Sequence, residues 1–169
     1  MASFKIGDKV VYPNHGIGVI ETIMDRSDDG RNCSFYCLRI HANQSTVMVP
    51  TGNTDQVGLR KVVSRKQIDR VFRTLRSGDV SVASDWKGRY QENSDRMRTG
   101  SIEEVAQVLK NLALLSQSKS LSYRERKMLD KARYLVVSEI AEVSRQSEEK
   151  VEERVDRAIG VQLRSQAEH

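Results

Sequence analysis

Apolar residues change their spacing at about residue 63, and no fold with one period throughout can accommodate the chain. Before that point they recur in short runs near a period of two, as in half-buried strands. Beyond it they recur every three to four positions, as along one face of a helix. Both prolines, Pro13 and Pro50, and seven of the ten glycines precede residue 79, where strands must be divided by turns. The predicted fold class is α+β in two domains. A small bent β-barrel of about five strands occupies 1–63, and a compact all-α bundle of about five helices occupies 64–169.

In the head, Val10-Val11-Tyr12 leads into a Pro13-Asn14-His15-Gly16 turn. Ile17, Val19 and Ile23 then alternate imperfectly with Gly18, Ile20 and Thr22. Asp28-Asp29-Gly30 signals a tight turn, with Gly30 at positive φ. Over residues 33–41, Tyr36, Leu38 and Ile40 share one face and Cys33, Phe35, Cys37 and Arg39 the other. Thr46-Val47-Met48-Val49 and Leu59-Arg60-Lys61-Val62-Val63 complete the strands.

In the second half, Ser64-x-x-Gln67, Ser101-x-x-Glu104 and Ser122-x-x-Glu125 each read as a capping box, in which two side chains satisfy free amides at a helix start. The first precedes a stripe of Ile68, Val71, Phe72 and Leu75, which Gly78 can close. A second helix is expected over about 84–98, from near Ser84 to before Gly100. The third buries Ile102, Val105, Ala106, Leu109, Leu112 and Ala113. The fourth buries Met128, Leu129, Ala132, Leu135, Val136, Ile140 and Val143. Ser147 starts a fifth, with Val151, Val155, Ala158 and Ile159 inward.

Catalytic chemistry has little to work with. Gly16-Ile17-Gly18 is too short for a dinucleotide fingerprint, and no phosphate-loop motif occurs. Cys33 and Cys37 share a strand face but have no second pair of ligands, so packed thiols are preferred to a metal site. His15 reads as a turn residue without a neighbouring nucleophile. The expectation is a non-enzyme with no cofactor and no metal. No run approaches the roughly 18 apolar residues of a membrane span, and no secretory leader opens the sequence. A cytoplasmic location follows.

Charge is distributed unevenly. Residues 1–64 carry a net +1, residues 65–134 a net +7 and residues 135–169 a net −3. The basic middle is a candidate polyanion-binding surface, although arginine-rich helix faces are often merely solvated. Within it, Trp86, Tyr90, Asn93 and Met97 follow a spacing near four, flanked by Lys87, Arg89, Arg96 and Arg98. The lone tryptophan either anchors this helix in the bundle, the commoner role, or stands beside cations where it can stack on an exposed base. Arg124, Arg126 and Lys127 open the fourth helix, followed by Lys131 and Arg133, and a helix N-terminus also favours phosphate.

A family resemblance runs in order from about residue 3 to 160. It is carried by Phe4-Lys5-Ile6-Gly7-Asp8-Lys9-Val10-Val11-Tyr12-Pro13, His15-Gly16, Val47-Met48-Val49-Pro50 and Val57-Gly58-Leu59-Arg60. Asp85-Trp86 with Arg89-Tyr90, and Lys127-Met128-Leu129-Asp130-Lys131-Ala132-Arg133, continue it. Together these resemble the CarD/CdnL bacterial transcription regulators. The resemblance implies that 1–63 is a Tudor-like RNA polymerase-interacting domain that docks on the polymerase β subunit, and that 64–169 is a helical DNA-binding domain. Arg26, Cys37, Arg39, Val47, Met48, Val49 and Pro50 then fall at the polymerase contact. Trp86 matches the family's wedge tryptophan at the upstream edge of the melted promoter bubble, in the minor groove. Lys87, Arg89, Arg126 and Lys127 lie in its basic surface, with Tyr90, Arg124 and Lys131 added from the spacing above. Some members carry Arg at the Met48 position and basic residues at those of Gly88 and Gln91. The implied function is stabilisation of the open promoter complex, at rRNA promoters among others, by a monomer that meets the nucleoid through polymerase. The alternative is a protein-interaction adaptor whose helical domain does not bind DNA.

Overall fold

The computed structural model describes residues 3–28, 30–77 and 85–167. Asp29, Gly78 and Ser84, assigned above to a turn, a helix end and a helix start, lie outside the described residues. The chain divides into two compact units, 1–62 and 63–169.

In the first unit, β1 (Lys9–Tyr12), β2 (Gly16–Asp28), β3 (Arg31–Ile40), β4 (Thr46–Pro50) and β5 (Arg60–Lys61) form one antiparallel sheet in the order β4-β3-β2-β1-β5. A 3-10 turn (Thr51–Asn53) and a single-turn helix, α1 (Thr54–Val57), join β4 to β5. Gly30 takes the expected positive φ, 77°. β2 and β3 pair from Gly18 opposite Ile40 to Asp28 opposite Arg31, with one slip between Ile20 and Thr22. Glu21 is the extra residue of a β-bulge, which explains the imperfect alternation of β2. One inserted residue puts Ile23 (opposite Tyr36) on the same face as Ile20 (opposite Leu38). That face carries the core of Phe4, Val10, Ile20, Tyr36, Leu38, Val49 and Leu59.

Two expectations for the head are corrected. The sheet does not close into a barrel: β4 and β5 are its edges and do not pair with each other among the described residues. β5 is two residues long, entered from Gly58 at φ 76°, and so short a strand cannot supply a ladder on both sides. Val62 and Val63 are not strand. The Val63 N–H instead donates to a Glu139 carboxylate oxygen at 2.9 Å, within the second unit.

The second unit contains α2 (Arg65–Arg76), α3 (Trp86–Arg98), α4 (Ile102–Ser118), α5 (Tyr123–Ser144) and α6 (Glu148–Ala167). Capping boxes form at Ser64/Gln67 and Ser122/Glu125. The third expected box does not: Ser101 precedes α4 without a side-chain cap, and Glu104 accepts instead from Arg96 of α3 at 2.8 Å. Ile68, Val71, Phe72 and Leu75 of α2 are buried, a contribution of about 6–12 kcal/mol before entropy. Val151, Val155, Ala158 and Ile159 of α6 join the same core as expected. Ala113, Met128, Leu129, Leu135 and Val143, expected inside, only partly pack against it. α2 is closed by Lys110 of α4, whose fully buried Nζ donates to the carbonyls of Thr74 and Ser77 and to Ser77 Oγ at 2.9–3.2 Å. Among the described residues, no helix is long and apolar enough to cross a membrane.

Candidate functional site

The stripe on α3 changes character along its length. Met97 and Asn93, at its C-terminal end, are 5% and 2% exposed. Trp86, its first residue, is 50% exposed, with Tyr90 edge-on to it at a centroid distance of 6.5 Å. Met97 and Asn93 therefore anchor the helix, and the indole is left projecting from the first turn. Asp85 caps that turn by accepting from the Gly88 N–H at 3.3 Å.

What lies beside the first turn of α3 is decided by one ion pair. Arg89 Nε donates to Glu125 Oε2 at 2.7 Å and its Nη2 to Oε1 at 3.2 Å, with the two side chains only 11% and 3% exposed. The Arg89 hydrogen bond holds the Glu125 carboxyl below the usual carboxylate range, against the opposing effect of burial. The reciprocal bond raises the Arg89 guanidinium further above its ordinary value. Because Glu125 is also the capping-box glutamate of α5, the pair joins the N-terminal turns of α3 and α5. Both turns carry the positive ends of helix dipoles. Lys87 on α3 and Arg124, Arg126 and Lys127 on α5 are exposed around them, with Lys131 exposed further along α5. Arg89 does not join that surface. A bidentate carboxylate uses its fork, a geometry that suits positioning the two helices. Arg133 is likewise paired, with Asp156 and Glu152 of α6.

Sequence reasoning passed over Tyr123. As the first residue of α5 it is 66% exposed, with Lys127 Nζ 5.2 Å from its ring centroid. An aromatic directly after a capping serine, outside the apolar stripe, is the signal that marked it.

On the sheet, strand pairing puts Arg39 with Thr46, Cys37 with Thr22 and Met48, Phe35 with Met24 and Pro50, and Arg26 with Cys33, all on the face opposite the core. Met24 and Met48 are 41% and 37% exposed there. Arg39 pairs with Glu21 at 2.7 Å in an exposed geometry that a partner could displace at a cost of about 0–1 kcal/mol. Val47 and Val49 point to the core face, Val49 at 1% exposure, so neither presents its side chain with the others. Cys37 is buried and Cys33 exposed, about 13 Å apart along the strand, too far to share a ligand.

The chain is thus an α+β protein of two compact units, a sheet with a partly apolar outer face and a bundle with an aromatic, cationic end. Residues 4–63 match the CarD-like/TRCF RID domain and residues 70–156 match the CarD C-terminal domain, and the chain belongs to the CarD family. It is 34% identical over 137 residues to YdeB of Bacillus subtilis (strain 168), a candidate transcription factor, covering 81% of this chain and 90% of that one. Among solved structures it is similar to CdnLNt from Myxococcus xanthus, with 42% identity, 38% of this chain and 90% of that chain covered, and a TM-score of 0.32. The 72-residue N-terminal domain of Myxococcus xanthus CarD is 35% identical, with 36% and 84% covered and a TM-score of 0.30.

Proposed function

We propose that this chain is a non-catalytic transcription regulator that holds bacterial RNA polymerase with its sheet and promoter DNA with its bundle, and so lengthens the life of the open complex. Family membership supports the class. The observation that carries the DNA contact is the half-exposed Trp86, held by a buried ion pair beside the cationic first turn of α5. Lys87, Arg124, Arg126 and Lys127 neutralise phosphates without reading bases. Trp86 enters the minor groove at the upstream fork of the bubble and stacks where pairing is lost, which favours the melted state over the closed one. In the head, Met24, Phe35 and Met48 with Arg26 and Arg39 form the polymerase-facing surface. β4, as an edge strand, offers its free backbone groups to a strand of the β subunit.

One stacking contact is worth about 1–3 kcal/mol, so Trp86→Ala shortens open-complex lifetime roughly 5- to 150-fold. Purified polymerase, a promoter with an unstable open complex and a competitor challenge measure this directly. The variant keeps its polymerase affinity, because Trp86 belongs to the other unit. An unchanged lifetime at saturating protein removes the wedge.

A further inference from the structure

A second basic feature lies between α2 and α6. A cavity of about 190 Å³ is lined by Phe72, Arg76, Arg154, Arg157 and Ala158. Phe72 is 3% exposed and forms part of the bundle core. The guanidinium carbons of Arg154 and Arg76 sit 4.5 and 5.8 Å from its ring centroid. Two of the three cations are therefore held against a fixed surface, which limits the rotamers they would lose on binding a ligand. Arg154 is further fixed by donating to Gln146 Oε1 at 3.0 Å. Arg89, Arg96, Arg98 and Arg133 of the same unit each reach a carboxylate. Among the described residues, Arg76, Arg154 and Arg157 have no carboxylate within ion-pair distance.

Three guanidinium groups around one cavity that no acid lines among the described residues repel each other and attract an anion. The volume is below that of a site for a drug-sized molecule and suits one compact anionic group. A carboxylate is satisfied by a single arginine fork, whereas the three forks here match the several oxygens of a phosphoryl group. Phe72 is buried and covered by Arg154, so it has no free face on which a base could stack. We infer that this cavity is a phosphate-binding site, separate from the Trp86 surface, that recognises its ligand by the phosphoryl group alone. None of Trp86, Lys87, Arg124, Arg126 or Lys127 lines it. The phosphoryl group belongs either to the backbone of duplex DNA or to a phosphorylated small molecule.

The test is a titration of the isotope-labelled full chain with inorganic pyrophosphate at constant ionic strength, read by backbone amide shifts. Saturable shifts at Arg76, Arg154 and Ala158, with a dissociation constant below about 1 mM, are expected. Arg157→Gln removes a cation that, among the described residues, neither lies over the ring nor pairs with an acid, and weakens binding about tenfold or more. Arg76→Lys keeps the charge but loses the fork, and also weakens it. A duplex without a bubble distinguishes the sources. Shifts of the same amides by the duplex assign DNA, and shifts by pyrophosphate alone assign a small molecule. Failure to saturate with pyrophosphate, or equal affinity in both variants, overturns the inference.

Discussion

Arg89→Met separates a positioning arginine from a phosphate-binding one. Methionine retains most of the side chain's length and removes its charge, leaving the Glu125 carboxylate, 3% exposed, without its cation. One-sided loss of a buried pair costs about 3–5 kcal/mol. Ser122 still donates toward Glu125 Oε1, which places the expected cost near the lower end, about 3 kcal/mol. For a helical unit of this size that lowers the thermal midpoint by at least about 12 °C. Arg89→Met/Glu125→Met recovers most of the loss, short of the roughly 1 kcal/mol carried by the capping box. The pH dependence has a definite sign. In the parent chain Glu125 is held low, so its stabilisation is present above about pH 4.3 and is lost as the pH falls through the depressed folded value. In Arg89→Met burial is opposed only by the Ser122 hydrogen bonds, so that carboxyl rises from its parent value and the gap between parent and variant narrows as the pH falls from 7 into the acid range. Circular-dichroism melts across that range measure both effects. Duplex affinity against salt supplies the other arm: the refolded double variant keeps the parent's slope, whereas losing a phosphate contact reduces the slope by about 0.9. A midpoint within about 2 °C of the parent, together with a reduced slope, would refute the assignment.

Two further perturbations probe each unit by itself. Thr54, fully buried at the start of α1, has a hydroxyl without a hydrogen-bond partner among the described residues. Thr54→Val therefore stabilises the head by about 1 kcal/mol, read as a higher urea midpoint, and a lower midpoint would show that the hydroxyl is bonded. Lys110→Met strips the C-terminal carbonyls of α2 of a charged donor and costs about 2–3 kcal/mol. Its signature is faster amide exchange in the last turn of α2; unchanged exchange and midpoint would remove Lys110 as that helix's cap.

How much of this was legible in the sequence depended on how far apart the interacting residues lie. The change of period at residue 63 is a local pattern, and it falls beside the boundary between the two units. Ser64/Gln67 and Ser122/Glu125 close their boxes within three residues. Ser101/Glu104 has the same spacing and fails, because Arg96 on the preceding helix competes for the glutamate. The bulge at Glu21 was visible only as a disturbed alternation, since its cause is a register slip against another strand. Strand parity, by contrast, was sufficient to place Cys37, Arg39 and Phe35 together opposite the core.

Cations were the least legible part, for the same reason. A guanidinium held in a buried pair by a carboxylate of its own chain is not available to a partner, and Glu125 is 36 residues from Arg89. Summing charge over segments cannot register that choice. The +7 segment loses Arg89, Arg96, Arg98 and Arg133 to acids, and its exposed cations lie along α2 as well as at the first turns of α3 and α5. The −3 segment, which read as an acidic tail, contributes Arg154 and Arg157 to a cavity without an acid, completed by Arg76 from the basic segment. Net charge along a sequence therefore does not show where cations are left to meet an anion: the useful quantity is the cations left after ion pairing, and even the acidic segment supplies two of the three arginines in the cavity.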